Sequence, residues 1–143
     1  ALNRQKSPES MARILSTEPY FNPLSPQATG KWITEVLAKA PDGPEGIDLV
    51  LLGMNGDNRM DESYRYLAAQ CFKQVPCACF KNLCGEYDTV SSFALFLAAV
   101  MLKKQRVPAA IRLDERPLRM IRKILIYNHV RNRNHSLILL SAC

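Results

Sequence analysis

The chain has 143 residues, of which 48% are hydrophobic and 22% charged, and this composition excludes a disordered, collagen-like or coiled-coil protein. A net charge of +6 favours an acidic partner. The longest apolar run, Phe93 to Leu102, is about half the ~20 residues of a membrane span, so we expect no transmembrane helix. Five cysteines without an export signal favour reduced thiols and a cytoplasmic location. A start at Ala1 rather than Met suggests processing, a trimmed chain or a fragment.

The first 27 residues are expected to form an irregular segment or tether, because Pro8, Pro19, Pro23 and Pro26 interrupt them. From Ala28 onwards the pattern changes. Apolar residues recur at helical spacing as far as position 40, and a Pro-Asp-Gly-Pro sequence then ends the predicted helix. We therefore place a domain boundary between residues 27 and 28, with residues 28–143 as the folded unit.

The remaining sequence predicts five strands and two further helices. The strands are expected at 47–52, 75–80, 107–113, 124–128 and 136–142, and the helices at 60–72 and 89–104. Strands that alternate with helices and then follow one another directly call for a mixed sheet with right-handed crossovers. The predicted class is α/β with a mixed five-stranded sheet.

The helix predicted at 89–104 contains ten consecutive positions without a polar side chain. A helix that rests on a sheet normally keeps one solvated face, so we expect this one to lie in a middle layer, covered by a second half from outside this chain. The alternative is that Tyr20, Phe21 and Leu24 fold over it. If one flank of this helix were solvated in a single compact chain, that would count against the covering second half. It would also count against the family resemblance described next.

The order of motifs resembles the C-terminal half of the β-ketoacyl-acyl carrier protein synthases, which have the thiolase fold. That family has a strand leading into an Asn-Ala-His-Gly-Thr-Ser-Thr turn, a Lys-x-x-x-Gly-His turn, a long buried helix and a final hairpin with a Gly-Phe-Gly-Gly turn. The corresponding segments here are 48–61, 80–86, 92–111 and 126–140. The resemblance implies a thiolase-like half domain with helices on both faces of the sheet.

The family's catalytic residues match this chain only in part. The first catalytic His falls on Gly53 and the second on Glu86, whereas the family's Lys and Gly are matched by Lys81 and Gly85. Residues 130–133 replace the glycine-rich turn, and the nucleophilic Cys belongs to the half that this chain does not contain. Glycine supplies no donor, and an ionised Glu86 would repel a developing oxyanion. The four positions are Gly53, Lys81, Gly85 and Glu86, and we expect none of them to be catalytic.

Other candidate sites have a simpler structural interpretation. Cys77 and Cys79 alternate on one predicted strand, so we expect them to pack in the core rather than bind a metal. Cys84, next to Lys81, is the thiol expected to have a lowered pKa, although no base is near it in sequence. His129 and His135 flank the last turn, where we expect solvated side chains. We expect no metal and no cofactor.

Acidic residues at the start of the second predicted helix have two interpretations. Asp57, Asp61 and Glu62 could form a carboxylate site for a cation. Asp61 and Glu62 also suit the first turn of a helix, where negative charge complements the dipole. We favour the helix-terminal role.

Basic residues concentrate in the last third of the chain and suggest a docking surface for an anionic partner. The resemblance implies an acidic acyl carrier protein as that partner. Nucleic acid is disfavoured because Tyr127 is the one aromatic residue of the region. The residues expected to bind the partner are Arg116, Arg119, Arg122, Lys123, Arg131 and Arg133.

The sequence therefore predicts a β-ketoacyl synthase-like half domain that does not catalyse condensation alone. It would support a synthase-like subunit or a missing N-terminal half, in an oligomer, in fatty-acid or polyketide-type synthesis. One alternative is an active acyltransferase that uses Lys81, Glu86 and Cys84 in an altered mechanism. Another is a basic α/β module that binds anions or nucleic acid.

Overall fold

A computed structural model describes residue 7, residues 9–40 and residues 43–143. Nine helices and strands lie in these ranges. In chain order they are β1 (Ala12–Phe21), α1 (Pro26–Ala38), β2 (Leu49–Leu52), α2 (Asn58–Cys71), β3 (Cys77–Cys79), α3 (Lys81–Cys84), α4 (Val90–Lys104), β4 (Lys123–Val130) and β5 (Asn134–Ala142).

The strands form one mixed sheet in the order β1-β5-β4-β2-β3. β2 pairs with β3 and β4 in parallel, whereas β5 is antiparallel to both β4 and β1. Because β2, β3 and β4 run in the same direction, their carboxyl ends lie at one end of the sheet. This confirms the predicted α/β class and the five-stranded mixed sheet.

Both faces of the sheet are covered by helices, as the resemblance implied. Alternate residues of β2 and β4 point to opposite sides: Leu51 and Ile126 pack in a core with α4, and Leu52 and Tyr127 pack in a core with α1 and α2. This alternation explains why β2 is apolar along its whole length and β4 carries large apolar or aromatic side chains from Ile124 to Tyr127.

The N-terminal region contains a strand, so the prediction that residues 1–27 are irregular is wrong for residues 12–21. β1 pairs with β5 from Ala12 to Phe21, which makes it part of the same sheet as the rest of the chain. Pro19 is compatible with this strand because an edge strand leaves one row of backbone donors unused. Parts of the predicted tether (residues 1–6 and Pro8) and of the predicted helix end (residues 41–42) lie outside the residues that the structure describes.

The strand predicted at 107–113 is also wrong. Residues Ala109–Ile111 form a single 3-10 turn, and Arg112 makes one isolated bridge to Ala78 of β3. The 3-10 turn interrupts the extended backbone, so only the end of this segment reaches β3, where Leu113 N donates to Cys77 O at 3.0 Å. β1 takes the place of this strand in the count of five.

Local signals explain where the helices begin. Ser25 caps α1 by accepting a hydrogen bond from Ala28 N, with Pro26 in the first turn. Asp57 caps α2 by accepting from Arg59 N. Among the described residues, no helix combines the length and the apolar content that a membrane crossing requires.

Helix α4 lies where it was predicted but keeps an uncovered flank. Ala94, Ala98 and Met101 are buried against the sheet, whereas the Phe96 residue is 60% exposed. The N-terminal segment does not provide the cover: Tyr20 stacks on Trp32 of α1 with ring centroids 4.8 Å apart. Phe21 and Leu24 are themselves exposed, so the interpretation in which these three side chains cover α4 is wrong.

Candidate functional site

The four positions that the resemblance aligns with the family's site lie together at the carboxyl end of the parallel strands. Gly53 directly follows β2, and Lys81 begins α3 directly after β3 and Phe80. Gly85 and Glu86 follow α3, where Gly85 has a φ of +76° that favours glycine. We call these four residues the family-site positions.

Lys81 and Glu86 form an ion pair inside this site. The Lys81 side chain is 1% exposed, and its Nζ lies 2.7 Å from Glu86 Oε2 and 2.9 Å from Glu86 Oε1. The same ammonium donates to the carbonyl oxygen of His129 at 3.1 Å. Its positive charge is therefore already neutralised and hydrogen-bonded, so it is not available to bind a substrate anion.

The space beside Gly53 is occupied by other side chains. A Cβ at this position would overlap Asn128 Oδ1, lie 2.6 Å from the Tyr64 hydroxyl and lie 3.1 Å from Lys81 Cε. Real side chains do not approach that closely. Without a shift of the surrounding side chains, this position has no room for a side chain of any size.

Tyr64 and Asn128 are held in place by buried hydrogen bonds. The Tyr64 hydroxyl donates to Asn128 Oδ1 at 3.2 Å and accepts from the backbone N–H of His129 at 2.9 Å. The amide nitrogen of Asn128 donates to Ser91 Oγ on α4 at 3.1 Å. Displacing either side chain would leave buried polar atoms without partners, which costs about 1–3 kcal/mol for each.

His129 and His135 are buried residues of the last hairpin, so the prediction of solvated histidines is wrong. They face each other across β4 and β5 and are 2% and 5% exposed. The turn between the strands is only three residues long, because both strands extend further towards it than predicted. His129 stacks on the ring of Tyr64 at a centroid distance of 4.2 Å.

Burial keeps both histidines neutral. The pKa of His129 is lowered to about 3, mainly by burial and further by the nearby His135 and Lys81. Burial also lowers the pKa of His135, whose Nδ1 shares a hydrogen bond of 2.8 Å with the Tyr127 hydroxyl. The backbone N–H of Asn132 donates to His129 Nδ1, so the ring proton of His129 is on Nε2, an atom that is shielded from solvent. His129 therefore cannot replace either family histidine as a donor to substrate.

The acidic residues near this site have structural roles. Asp61 is buried and accepts hydrogen bonds from the backbone N–H groups of Asn55 and Gly56, which fixes the loop after β2. Asp57 caps α2. In the described ranges, no group of three or more His, Cys, Asp or Glu side chains is arranged to hold a metal ion.

The cysteines lack the features of a nucleophile. Cys77 and Cys79 are buried on β3, and burial raises the pKa of Cys77 to about 11. The prediction of a lowered pKa for Cys84 is wrong, because burial raises it. Lys81 acts in the opposite direction but is already paired with Glu86, which limits its effect.

The predicted partner-binding residues fall into two separate groups. Arg116, Arg119, Arg122 and Lys123 lie before or at the start of β4, whereas Arg131 and Arg133 lie in the turn after its end. Seven residue steps of β4 separate the groups by about 24 Å at ~3.4 Å per residue. The guanidinium of Arg116 is engaged by Asp114 at 3.0 Å and by Lys73 O at 2.8 Å, so it also anchors its loop.

The hydrogen-bonded network of Tyr64, Asn128 and His129 was not predicted from the sequence. A signal was available, because Leu125, Tyr127 and His129 alternate on one face of β4 and continue its buried pattern. The placement of Tyr64 depends on how α2 packs against the sheet, which spacing along the chain does not reveal.

Comparison with known proteins relates the fold to ketosynthases. An oxazolomycin ketosynthase domain of Streptomyces albus superposes with a TM-score of 0.69 over 93% of this chain, at 15% identity. A chain from a complex of a type II polyketide acyl-carrier protein with its ketosynthase gives 0.61 over 93%, at 12% identity. The noncanonical ketosynthase FabY from P. aeruginosa gives 0.60 over 92%, at 11% identity. No family model and no curated protein matches the sequence significantly.

These structures show that the chain has the thiolase-like ketosynthase fold, as the resemblance implied. The chain spans 45%, 34% and 26% of the three matched chains, so it corresponds to less than half of each. The exposed flank of α4 does not overturn the resemblance, and our expectation that it would was wrong. The matched proteins are more than twice as long as this chain, so cover from a second half is compatible with their size.

Proposed function

We propose that this chain is a β-ketoacyl synthase-like half domain that does not catalyse condensation on its own and supports a condensing partner in fatty-acid or polyketide-type synthesis. The observation that carries the proposal is the filled space at Gly53. A condensing site of this family needs two histidine donors for the developing negative charge. Here the first position has no room for a side chain, and the second holds Glu86, which is bound to Lys81.

The remaining chemistry of the site supports the same conclusion. The Lys81 ammonium is buried and paired, and His129 is neutral with a shielded Nε2. An oxyanion formed near this site would meet the Glu86 carboxylate, whose side chain is 42% exposed. Repulsion between these like charges would raise the barrier to decarboxylation rather than lower it.

We propose that the exposed flank of α4 packs against a second thiolase-like half. Phe96 is 60% exposed in the middle of α4, whereas its neighbours Leu95 and Leu97 pack against the core. Burying one such side chain stabilises a complex by about 1.5–3 kcal/mol. The matched structures are more than twice as long as this chain, which supports a partner of comparable size.

The experiment is co-purification of the native protein from its own cells, with the variant Phe96→Glu compared with the control Phe21→Glu. Phe21 is 73% exposed but lies at the end of β1, away from α4. We expect a ketosynthase-type half that contains a nucleophilic Cys to be identified with the unaltered protein and with Phe21→Glu, and lost with Phe96→Glu. A strictly monomeric mass for the unaltered protein at working concentration would contradict the proposal.

The acyltransferase alternative has a separate test. Transfer of a labelled acyl group from a thioester to the isolated chain, lost in Cys84→Ser, would favour it. The raised pKa of Cys84 counts against this outcome, because only the thiolate is nucleophilic.

An acyl carrier protein is the acidic partner that we propose for the basic residues. One of the matched structures is a complex that contains such a carrier with its ketosynthase, and this chain has a net charge of +6. Charge of this kind steers the encounter with an acidic protein and makes binding sensitive to salt.

A further inference from the structure

A group of exposed basic residues surrounds the junction between the end of α4 and the start of β4. The Gln105 side chain joins the two segments: its Nε2 donates to Ile121 O at 2.8 Å, and its Oε1 accepts from Ile121 N at 2.9 Å. Basic residues flank both ends of this link. We call the following residues the junction patch: Lys103, Lys104, Arg106, Arg119, Met120 and Arg122.

The positive charge of the junction patch is poorly balanced. Within the described ranges, Lys103, Lys104, Arg106 and Arg119 form no ion pair. The Arg122 guanidinium reaches Asp48 only at 3.9 Å, and its side chain is 72% exposed. The patch therefore presents a local excess of cations to solvent, which attracts anionic partners.

The opposite end of the sheet lacks such an excess. Residues 53–65, 81–88 and 129–134, which contain the family-site positions and the β4–β5 turn, hold five acidic and five basic side chains, whereas residues 103–123 hold two acidic and eight basic ones. The five acidic residues are Asp57, Asp61, Glu62, Glu86 and Asp88, and the five basic ones are Arg59, Arg65, Lys81, Arg131 and Arg133. The two ends of the sheet therefore differ in net charge, and the end with the junction patch is the positive one.

The composition of the junction patch indicates the class of partner. Met120 is 70% exposed among the cations and offers an apolar contact. No aromatic residue occurs between positions 103 and 123, which disfavours stacking on nucleic-acid bases. Met120 and the 43% exposed Leu113 provide too little apolar surface for insertion into a membrane. A protein that presents carboxylates around an apolar side chain fits best.

We propose that the junction patch is the docking surface for an acidic protein. Gly53 follows Leu52, which pairs with Tyr127, so the family-site positions lie about 17 Å, or five residue steps of β4, from the start of that strand at Lys123. This inference rests on the proposed function for the identity of that protein, the acyl carrier protein. Docking there would hold the carrier at the end of the sheet away from the filled site. Binding should then be independent of Gly53, Lys81 and Glu86.

The test measures the affinity of two labelled probes for the whole chain by fluorescence anisotropy at low salt. The probes are a short poly-L-glutamate peptide and an acyl carrier protein from the same organism. The junction variant is Arg106→Glu/Arg119→Glu, which takes one exposed cation from each segment. The matched control is Arg131→Glu/Arg133→Glu, which makes the same charge change at the other end.

We expect the junction variant to weaken both probes by about tenfold or more, and the control variant to change neither by more than about twofold. Met120→Ala should weaken the carrier more than poly-L-glutamate. Thermal melting of each variant checks that the fold is retained.

The outcomes separate the two proposals. Binding of poly-L-glutamate through the junction patch, without binding of the carrier, would support an acidic docking surface and remove the carrier from the proposed function. Carrier binding that depends on Arg131 and Arg133 instead would overturn the junction patch and leave the proposed function intact. Equal losses of affinity in the junction variant and the control variant, or no binding of either probe, would also overturn the junction patch as a docking surface.

Discussion

The filled space at Gly53 predicts that adding a single methyl group there will destabilise the protein. In Gly53→Ala the new Cβ would overlap Asn128 Oδ1 and press on the Tyr64 hydroxyl at 2.6 Å. Overpacking of this kind costs about 1–3 kcal/mol, and a displaced buried hydrogen bond adds about 1–3 kcal/mol. We therefore expect a loss of about 2–6 kcal/mol in the free energy of unfolding. Urea denaturation followed by circular dichroism measures this quantity.

Gly30→Ala is the matched control, because it makes the same chemical change with the opposite expected result. Gly30 lies inside α1, and a Cβ there would meet Cys71 and Leu67 at an ordinary contact distance of 3.5 Å. Replacing glycine by alanine within a helix stabilises it by roughly 0.5–1 kcal/mol. Adding Asn128→Ala to Gly53→Ala should remove part of the overlap, so the double variant should lose less than the sum of the single variants. A neutral Gly53→Ala, or one no worse than Gly30→Ala, would refute the reasoning.

Three further predictions follow from the buried charges and from the exposed flank of α4. The folded pKa of His129, about 3, lies below the unfolded value of 6.5, so stability should fall as pH drops below 6.5 towards 3. His129 should contribute up to about 1.4 kcal/mol per pH unit to the slope in urea denaturation, and His135 should add to it. The slope should therefore become shallower in His129→Leu, and equal slopes would contradict this. Glu86→Gln should lower the free energy of unfolding by about 1–3 kcal/mol, because it leaves the Lys81 ammonium without its carboxylate partner. Lys81→Met/Glu86→Gln should recover part of this loss. A double variant no more stable than Glu86→Gln would exclude the unpaired ammonium as the cause. Phe96→Glu should change the free energy of unfolding of the isolated chain by less than about 0.5 kcal/mol, whereas a large loss would mean that Phe96 belongs to the core.

The elements with strong local patterns could be predicted from the sequence. The apolar run before Gly53 identified β2, and the unbroken apolar stretch identified α4 within one residue at its start. These predictions succeed because each pattern is continuous and ends at a recognisable signal. The resemblance aligned four positions with the family's motifs, and the structure shows that these positions lie at one end of the sheet.

The failures have identifiable physical causes. Pro19 suggested irregular structure, but an edge strand tolerates its missing N–H, and that tolerance depends on which strand lies beside it. The polar residues around His129 suggested a solvated loop, whereas cross-strand pairing with His135 places both rings in the interior. In both cases the long-range pairing of β5 determined the outcome, and a local pattern does not contain that information.

The site also depends on long-range contacts that a local sequence pattern does not contain. The resemblance aligns the family's histidines with Gly53 and Glu86, but it does not predict that Tyr64 and Asn128 fill the space beside Gly53. Those two side chains come from α2 and β4, and their hydrogen bond joins residues 64 positions apart. Only the packed structure shows that the first position cannot accept a histidine without rearrangement.

The most direct test of a non-catalytic site is the release of carbon dioxide from a malonyl thioester by the purified chain. We expect the unaltered chain to release carbon dioxide no faster than buffer, and Gly53→His/Glu86→His to release it no faster, because the first imidazole has no space between Tyr64 and Asn128. Turnover by the unaltered chain that is abolished by Glu86→Gln or Cys84→Ser would contradict the account.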